Sequence, residues 1–370
     1  MRIESATVIP LRIPFQDGSS GTGLMPTRWT HLDIALLRLQ TTDGLVGWGE
    51  AFAYAHLQTS VSALRELVLP HVIGQEITSP ESFNRQLQQR LHLHGRYGIT
   101  QFAMGAVDIA LWDLAAKAAG LSLAQMLMDG QGRSSSPALR ELLPAYASLV
   151  RYTEPEAVSR FTAKAVAQGY ETIKLHEITL PAIQAGRDAA PLPIQLITDV
   201  NCNWSDADAA TLMPAMREMG LYWVEEPLFP PDGEARLAAL QRDHRVSIAS
   251  GENACTAVEF ARLAAHIDFL QPSVTKVGGV SEFLKVCDLA RAAGKRVMPH
   301  SPYFGPGYWA TVQIMAARPE CELFEFLFIE AEHHLDSRIP LPVGGQVTVP
   351  KGLGLCFEPE REMLERYAVG

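Results

Sequence analysis

The sequence predicts an α/β protein built on an eightfold βα barrel, and three observations carry that reading. First, eight short apolar segments recur, at 143–149, 172–177, 194–200, 221–227, 246–253, 268–272, 296–300 and 322–326. Their starts fall every ~20–30 residues, the length of one strand plus one helix. Second, the intervening stretches 154–168, 207–219, 255–265 and 281–293 are Ala- and Leu-rich with helical spacing of apolar positions, and Gly169, Gly220 and Gly294 stand as stops beyond three of them. Third, the third, fourth and fifth segments end on acids: Asp199, the pair Glu225 and Glu226, and Glu252. In a βα barrel the chemistry sits at the C-terminal ends of the strands, where these acids lie.

A carboxylate that closes an apolar strand contributes little to packing. Singly, each of these acids reads equally well as a helix N-cap or a loop charge. Three in successive units point instead to oxygen ligands converging on one hard cation such as Mg²⁺.

At 370 residues the chain exceeds one barrel by roughly half, which calls for a second domain. Apolar residues make up 47% and charged residues 19%, an ordinary globular balance with ample core. The net charge of −10, with no basic block, argues against a nucleic-acid partner. Five scattered cysteines match no disulfide framework or zinc spacing and suggest a reducing, cytoplasmic setting. The start of the chain alternates like a strand rather than a signal peptide, and no stretch approaches the ~20 apolar residues of a membrane helix, so no membrane partner is expected.

Residues 1–50 read as a strand meander, with Asp43-Gly44 as a hairpin turn between 32–40 and 45–50. The Gly/Ser-rich loop 17–30 carries Arg28 and Trp29; it is a surface excursion or a mobile lid. A second loop, 51–56, carries Tyr54 and His56. Helices dominate from 59 to 130, including the Ala-rich run 103–119. The tail 340–370 returns to turn-and-strand composition and is expected to pack on the N-terminal domain, since a barrel closed at 322–326 leaves it no place.

AMGAVDIALWDLAAKAAG (103–120), IKLH (173–176), DVN, WVEEP, GEN, QPSVTKVGGV (271–280) and MPHS (298–301) together resemble the enolase superfamily, within it the mandelate racemase/muconate lactonizing enzyme group. The resemblance covers nearly the whole chain. It implies a modified TIM barrel, (β/α)7β, with one strand departing from the parallel pattern, and an N-terminal α+β capping domain completed by the C-terminal tail. The corresponding boundaries are 1–130 for the cap, 131–335 for the barrel and 336–370 for the tail. It further implies an essential Mg²⁺, a homo-oligomer (dimer or octamer), and one shared step, removal of the proton α to a carboxylate. Asp199, Glu225 and Glu252 would hold the metal, with Glu226 on the other face of its strand.

Lys174 and His176 stand two apart on one strand and so project to one face. The family's usual pattern here is Lys-x-Lys with the second lysine as base; histidine takes that place. Beside a metal and a lysine its pKa should fall, leaving it a neutral base, with Lys174 contacting the substrate carboxylate. His300 ends the seventh segment, where racemase-like members pair a histidine with an aspartate. That aspartate position is Ser273 here, so His300 is expected to be a weaker base but a usable acid, oriented by Ser273 or a backbone carbonyl. Glu325 matches the family's electrophilic or hydrogen-bonding acid. Lys276 reads as a loop-orienting residue. Arg28, Trp29, Tyr54, His56, Asn201 and Ser273 are the candidate substrate contacts; His31, His92 and His94 fit no spacing, although two or three such histidines could line the capped mouth.

The expected activity is Mg²⁺-dependent dehydration of an acid sugar, a small-molecule carboxylate. A racemase or epimerase, or a cycloisomerase, is the alternative among enzymes. A catalytically reduced metal- or ligand-binding protein is the alternative outside them.

Overall fold

The computed structural model describes residues 1–18, 29–129, 138–231 and 233–370. Strands β1 (Ile3–Gln16), β2 (His31–Thr41) and β3 (Val46–Ala51) form an antiparallel meander. Helices α1 (Leu57–Ser62), α2 (Pro80–Arg90), α3 (Gly98–Ala118) and α4 (Leu123–Asp129) follow. β3 lies directly on α3 because Gly47 and Gly49 present no side chains: a Cβ at Gly49 would sit 1.9 Å from the Ala106 carbonyl oxygen.

The barrel strands are β4 (Leu142–Ser148), β5 (Thr172–Leu175), β6 (Gln195–Asp199), β7 (Trp223–Glu225), β8 (Ile248–Ser250), β9 (Phe269–Leu270), β10 (Arg296–Val297) and β11 (Phe324–Leu327). They alternate with α5 (Pro155–Ala167), α6 (Leu180–Ala189), α7 (Asp206–Glu218), α8 (Glu234–His244), α9 (Ala257–Ala264), α10 (Val280–Ala293) and α11 (Pro306–Ala317). Neighbouring strands pair in chain order from β4 to β10, and β11 returns to β4. The Val297–Cys321 bridge closes the remaining gap. Seven helices follow eight strands, the (β/α)7β pattern.

Every pairing within this ring is parallel, contrary to the expected departure of one strand. The antiparallel partner comes from the tail: β13 (Gln346–Thr348) pairs with Leu142–Pro144, below the stretch where β4 joins β5 and β11. The tail therefore has a place on the barrel after all, because the start of β4 extends past its neighbours. It reaches the N-terminal sheet as well. β12 (Glu330–Ala331), which precedes the tail, pairs with β1, and α12 (Arg361–Tyr367) leads into the Ala368–Leu11 bridge.

Helix α3 corrects a second expectation, since it is apolar and long enough to pass for a membrane span. It is a core helix, with 83% of that window buried. Such a helix would slide freely without polar pins, and its two buried aspartates supply them. Asp113 accepts from the Trp48 and Leu355 backbone N–H groups, at 3.0 and 2.8 Å, and from Lys117 Nζ at 2.7 Å. Asp108 accepts from the Ser281 N–H at 2.8 Å, the Ser281 hydroxyl at 2.6 Å and Asn84 Nδ2 at 2.9 Å. It thereby caps α10 across the domain junction. Gly279, with φ +95°, makes room, since a Cβ there would lie 2.5 Å from Asp108. The aspartate of AMGAVD and the glycines of KVGGV are thus two halves of one contact.

Burial pushes the Asp108 carboxyl up to about 7, against the hydrogen bonds from Ser281 and Asn84. Its folded pKa therefore exceeds its unfolded one. Its contribution to stability is complete below the ordinary aspartate range and is lost as pH rises through about 7. Asp108→Asn removes that titration. Urea unfolding should find the variant less stable at about pH 5, with the gap closing by at most ~1.4 kcal/mol per pH unit as pH rises towards 7 and then staying constant. A gap independent of pH would mean that Asp108 is ionised throughout.

Candidate active site

The site arises from a change of composition within one pleat of the barrel. Tyr146, Ile197, Trp223, Ala249 and Phe269, each from a different barrel strand, and Met298, just past β10, form a buried apolar cluster. Side chains two residues further along a strand face the same way. At that level stand Ser148, Asp199, Glu225, Gly251, Gln271 and His300, with Lys174 and Glu325 on the other two strands. Apolar packing ends and a charged floor begins.

Asp199 and Glu225 are direct partners in the β6–β7 register. Glu252 follows β8 after Gly251, whose φ of +121° turns the chain inward. Ligand oxygens of Asp199, Glu225 and Glu252 all lie within 4.8 Å of one another. Lys174 Nζ, fully buried, stands 2.7 Å from Glu225, 3.0 Å from Asp199 and 3.1 Å from Glu325. Burial opposes its charge, but Glu225, Glu325 and Asp199 outweigh that and hold its pKa well above the ordinary lysine range. One ammonium cannot balance so many carboxylates. The excess falls on Glu225, which burial and then the Asp199 charge drive well upward. Asp199 Oδ2 moreover makes no well-aligned hydrogen bond among the described residues, despite the nearby ammonium. The three acids thus fit a divalent cation both in spacing and in unbalanced charge.

Glu226 does not simply turn away. Its backbone is left-handed, with φ +39°, and its carboxylate lies 3.6 Å from Cys202 Sγ and 3.5 Å from Asn253 Nδ2. Burial, then Glu252 and Asp199, push it up to about 8.

The two histidines take opposite ends of the triad. His176 Nε2 is 3.4 Å from Asp199 Oδ2, and its Nδ1 meets the Leu149 carbonyl oxygen. His300 Nε2 is 3.1 Å from Glu252 Oε2. Ser273 does not orient His300: its hydroxyl pairs with Tyr303 at 2.9 Å, and Tyr303 donates to the His300 backbone carbonyl at 2.6 Å. His300 Nδ1 has no hydrogen-bond partner among the described residues. Ser273 and Tyr303 therefore brace the backbone beneath His300 rather than its ring. Glu325 is fixed by the Ser148 hydroxyl at 2.8 Å and the Ser301 N–H at 2.9 Å.

Above the floor lies a cavity of about 260 Å³, lined by Phe52, Tyr54, Ser148, His176, Asn201, Glu252, Asn253, Lys276, His300, Pro302, Glu325 and Leu327. Tyr54 is brought in by the capping domain, and burial beside Glu252 and Glu325 keeps its phenol protonated. Asn201, left-handed at φ +45°, accepts from Arg151 Nη2 at 3.1 Å, which turns its amide N–H₂ group away from Arg151. Arg151 Nε also donates to the His176 carbonyl at 2.6 Å. Trp29 packs behind Tyr54, ring centroids 4.3 Å apart.

Arg28 and the rest of 19–28 lie outside the described residues. His56 does not line the cavity, because Ser60 Oγ at 3.1 Å and the Phe102 ring hold it back. His31, His92 and His94 are exposed, and none lines the mouth. Sequence reasoning missed Arg151, Asn253 and Phe52 and undervalued Lys276. Their loops carry no periodic signal, although Asn253, Phe52 and Lys276 lie within stretches already singled out, 246–253, 51–56 and 271–280.

Two family models match the chain: the mandelate racemase/muconate lactonizing enzyme N-terminal domain over residues 5–128, and the enolase C-terminal domain-like model over 157–363. The chain is 30% identical over 356 residues to D-galactarolactone cycloisomerase of Agrobacterium fabrum, covering 90% of each. It is 28% identical to L-talarate/galactarate dehydratase of Salmonella typhimurium, covering 80% of this chain and 74% of that one. Among solved structures, L-talarate dehydratase from a Polaromonas species, complexed with Mg and L-glucarate, superposes with a TM-score of 0.82 at 24% identity, covering 100% of this chain and 98% of that one. The 3,6-anhydro-D-galactonate cycloisomerase of Zobellia galactanivorans gives 0.83 at 21% identity and covers 100% of both chains. At such identities these two superpositions speak for the fold alone. With both domains matched in order over most of its length, the chain is an enzyme of the enolase superfamily, in its mandelate racemase/muconate lactonizing enzyme family.

Proposed function

We propose that this enzyme removes the α-proton of a hydroxylated carboxylic acid and expels the oxygen on the β-carbon, dehydrating an acid sugar. The observation that carries the reading is the placement of His176 and His300 at opposite ends of the acidic triad, 3.4 Å from Asp199 and 3.1 Å from Glu252. A substrate carboxylate bound at the triad would have one imidazole on each side of its α-carbon. The relatives named for acid-sugar dehydration support the same class.

In this reading Asp199, Glu225 and Glu252 would hold Mg²⁺, which would supply positive charge to offset the negative charge that develops as the α-carbon loses its proton. Lys174 adds an ammonium on the same floor, and Glu325 fixes that ammonium. Neutral His176 takes the α-proton, its Nε2 left free for this by the contact of Nδ1 with the Leu149 carbonyl. Protonated His300 gives its proton to the β-oxygen as the C–O bond breaks, so that water leaves. The resulting enol tautomerises to a 2-keto-3-deoxy acid, and exchange with solvent moves the net proton from His176 back to His300. Asn201 and Tyr54 supply donors to the remaining hydroxyls.

Cycloisomerisation is the second reading, supported by the relatives of that name and needing the same α-proton and β-oxygen chemistry. Racemisation is less well supported: it requires His300 to act as a base as well, and no carboxylate stands behind His300 Nδ1 among the described residues.

Glu225→Gln should lower Mg²⁺ affinity by more than ~10-fold in calorimetry and abolish turnover, with the thermal transition still cooperative. Full turnover by EDTA-treated wild type would refute the metal assignment. The division of labour between the histidines is tested by NMR in D₂O on galactarate, D-galactonate and D-galactarolactone. His176→Ala should lose α-proton exchange; His300→Ala should keep exchange and stop product formation. Equal loss of exchange in both would contradict the assignment.

A further inference from the structure

Lys276 is the cation that the proposed mechanism leaves without a task. It lies in the loop between β9 and α10, its side chain only 5% exposed, on the wall of the cavity. Its ammonium donates to Asn253 Oδ1 at 3.0 Å and stands 3.7 Å from Glu252 and 4.4 Å from the face of the Phe52 ring. Lys174 is enclosed by three carboxylates, whereas among the described residues Lys276 has one close acceptor, and an ammonium offers three donors. Its position relative to the triad is decisive. Lys276 and His300 both approach Glu252, while His176 approaches Asp199. The two walls are therefore unequal: one carries a single imidazole, the other an imidazole beside an ammonium. The Phe52 ring and Asn253 fix that ammonium in place, so little side-chain freedom remains to be lost on binding.

We infer that Lys276 is a substrate-contacting residue of the β-elimination half of the reaction, donating to the oxygen that leaves the β-carbon while His300 supplies its proton. This rests on the reading above. The ligand group is a hydroxyl or ring oxygen that gains negative charge as its C–O bond breaks. A fixed ammonium stabilises such an oxygen more in the transition state than in the ground state. The contact serves dehydration and ring opening alike.

The test separates the two half-reactions in Lys276→Met and Lys276→Arg, using the same three sugar compounds in D₂O with Mg²⁺. Lys276→Met should keep α-proton exchange within about threefold of wild type and lose product formation by about 10- to 100-fold, with Lys276→Arg recovering part of the loss. Calorimetry with Mg²⁺ alone should give Kd values for both variants within about twofold of wild type. A parallel fall of exchange and product, or weakened Mg²⁺ binding, would show that Lys276 acts through Glu252 and overturn the inference. Unchanged product formation would overturn it as well. Absence of exchange in wild type with all three compounds would instead bring down the parent reading, and this inference with it.

Discussion

The ammonium of Lys174 is the interaction on which the rest of the site depends. It is fully buried between Asp199, Glu225 and Glu325, at the level where the barrel interior changes from apolar to charged. Deleting Lys174 would leave those carboxylates without a buried counter-charge, a change that costs about 3–5 kcal/mol. The barrel's integrity therefore depends on the lysine that accompanies its acids. Its single charge also falls short of theirs, and that shortfall is what makes the floor receptive to a divalent cation. Structure and function draw on the same imbalance.

From this floor the arrangement builds outward. The parallel register sets Asp199 opposite Glu225 and projects Lys174 and His176 to one face. The strand-end loops then distribute proton-bearing groups unequally, with His176 on the Asp199 side and His300 and Lys276 on the Glu252 side. The capping domain closes the cavity with Phe52 and Tyr54. Its position is fixed by polar pins at the junction, above all Asp108 on the N-terminus of α10 and Glu50 on the Gly307 N–H at 2.8 Å. An enzyme that must exclude water from a developing carbanion needs such a rigid junction, and buried carboxylates there are its means.

What the sequence revealed follows from periodicity. The strand period placed the floor residues, and the βα period placed the strands, so the fold and the convergence of Asp199, Glu225 and Glu252 were legible. Contacts made by aperiodic loops were not. Ser273 was expected to orient the His300 ring, but its partner is Tyr303, thirty positions away in the chain, and no spacing rule connects them. His56 was drawn in because it is a histidine near the cap, yet Ser60 on the following turn holds it back. Lys276 looked like a loop anchor because its cavity face depends on Asn253 and Phe52, which only the fold assembles. The tail strand Gln346–Thr348 was missed at the barrel because the overhang of β4 is a matter of strand length rather than composition.

In the proposed reaction one acidic floor presents a substrate carboxylate to chemically different groups on its two sides. The most direct measurement is a crystal structure with Mg²⁺ and a slow or inert sugar acid. The cation is expected on Asp199, Glu225 and Glu252, with the α-carbon between the imidazoles of His176 and His300. A cation held elsewhere, or both imidazoles on one side of the α-carbon, would contradict it.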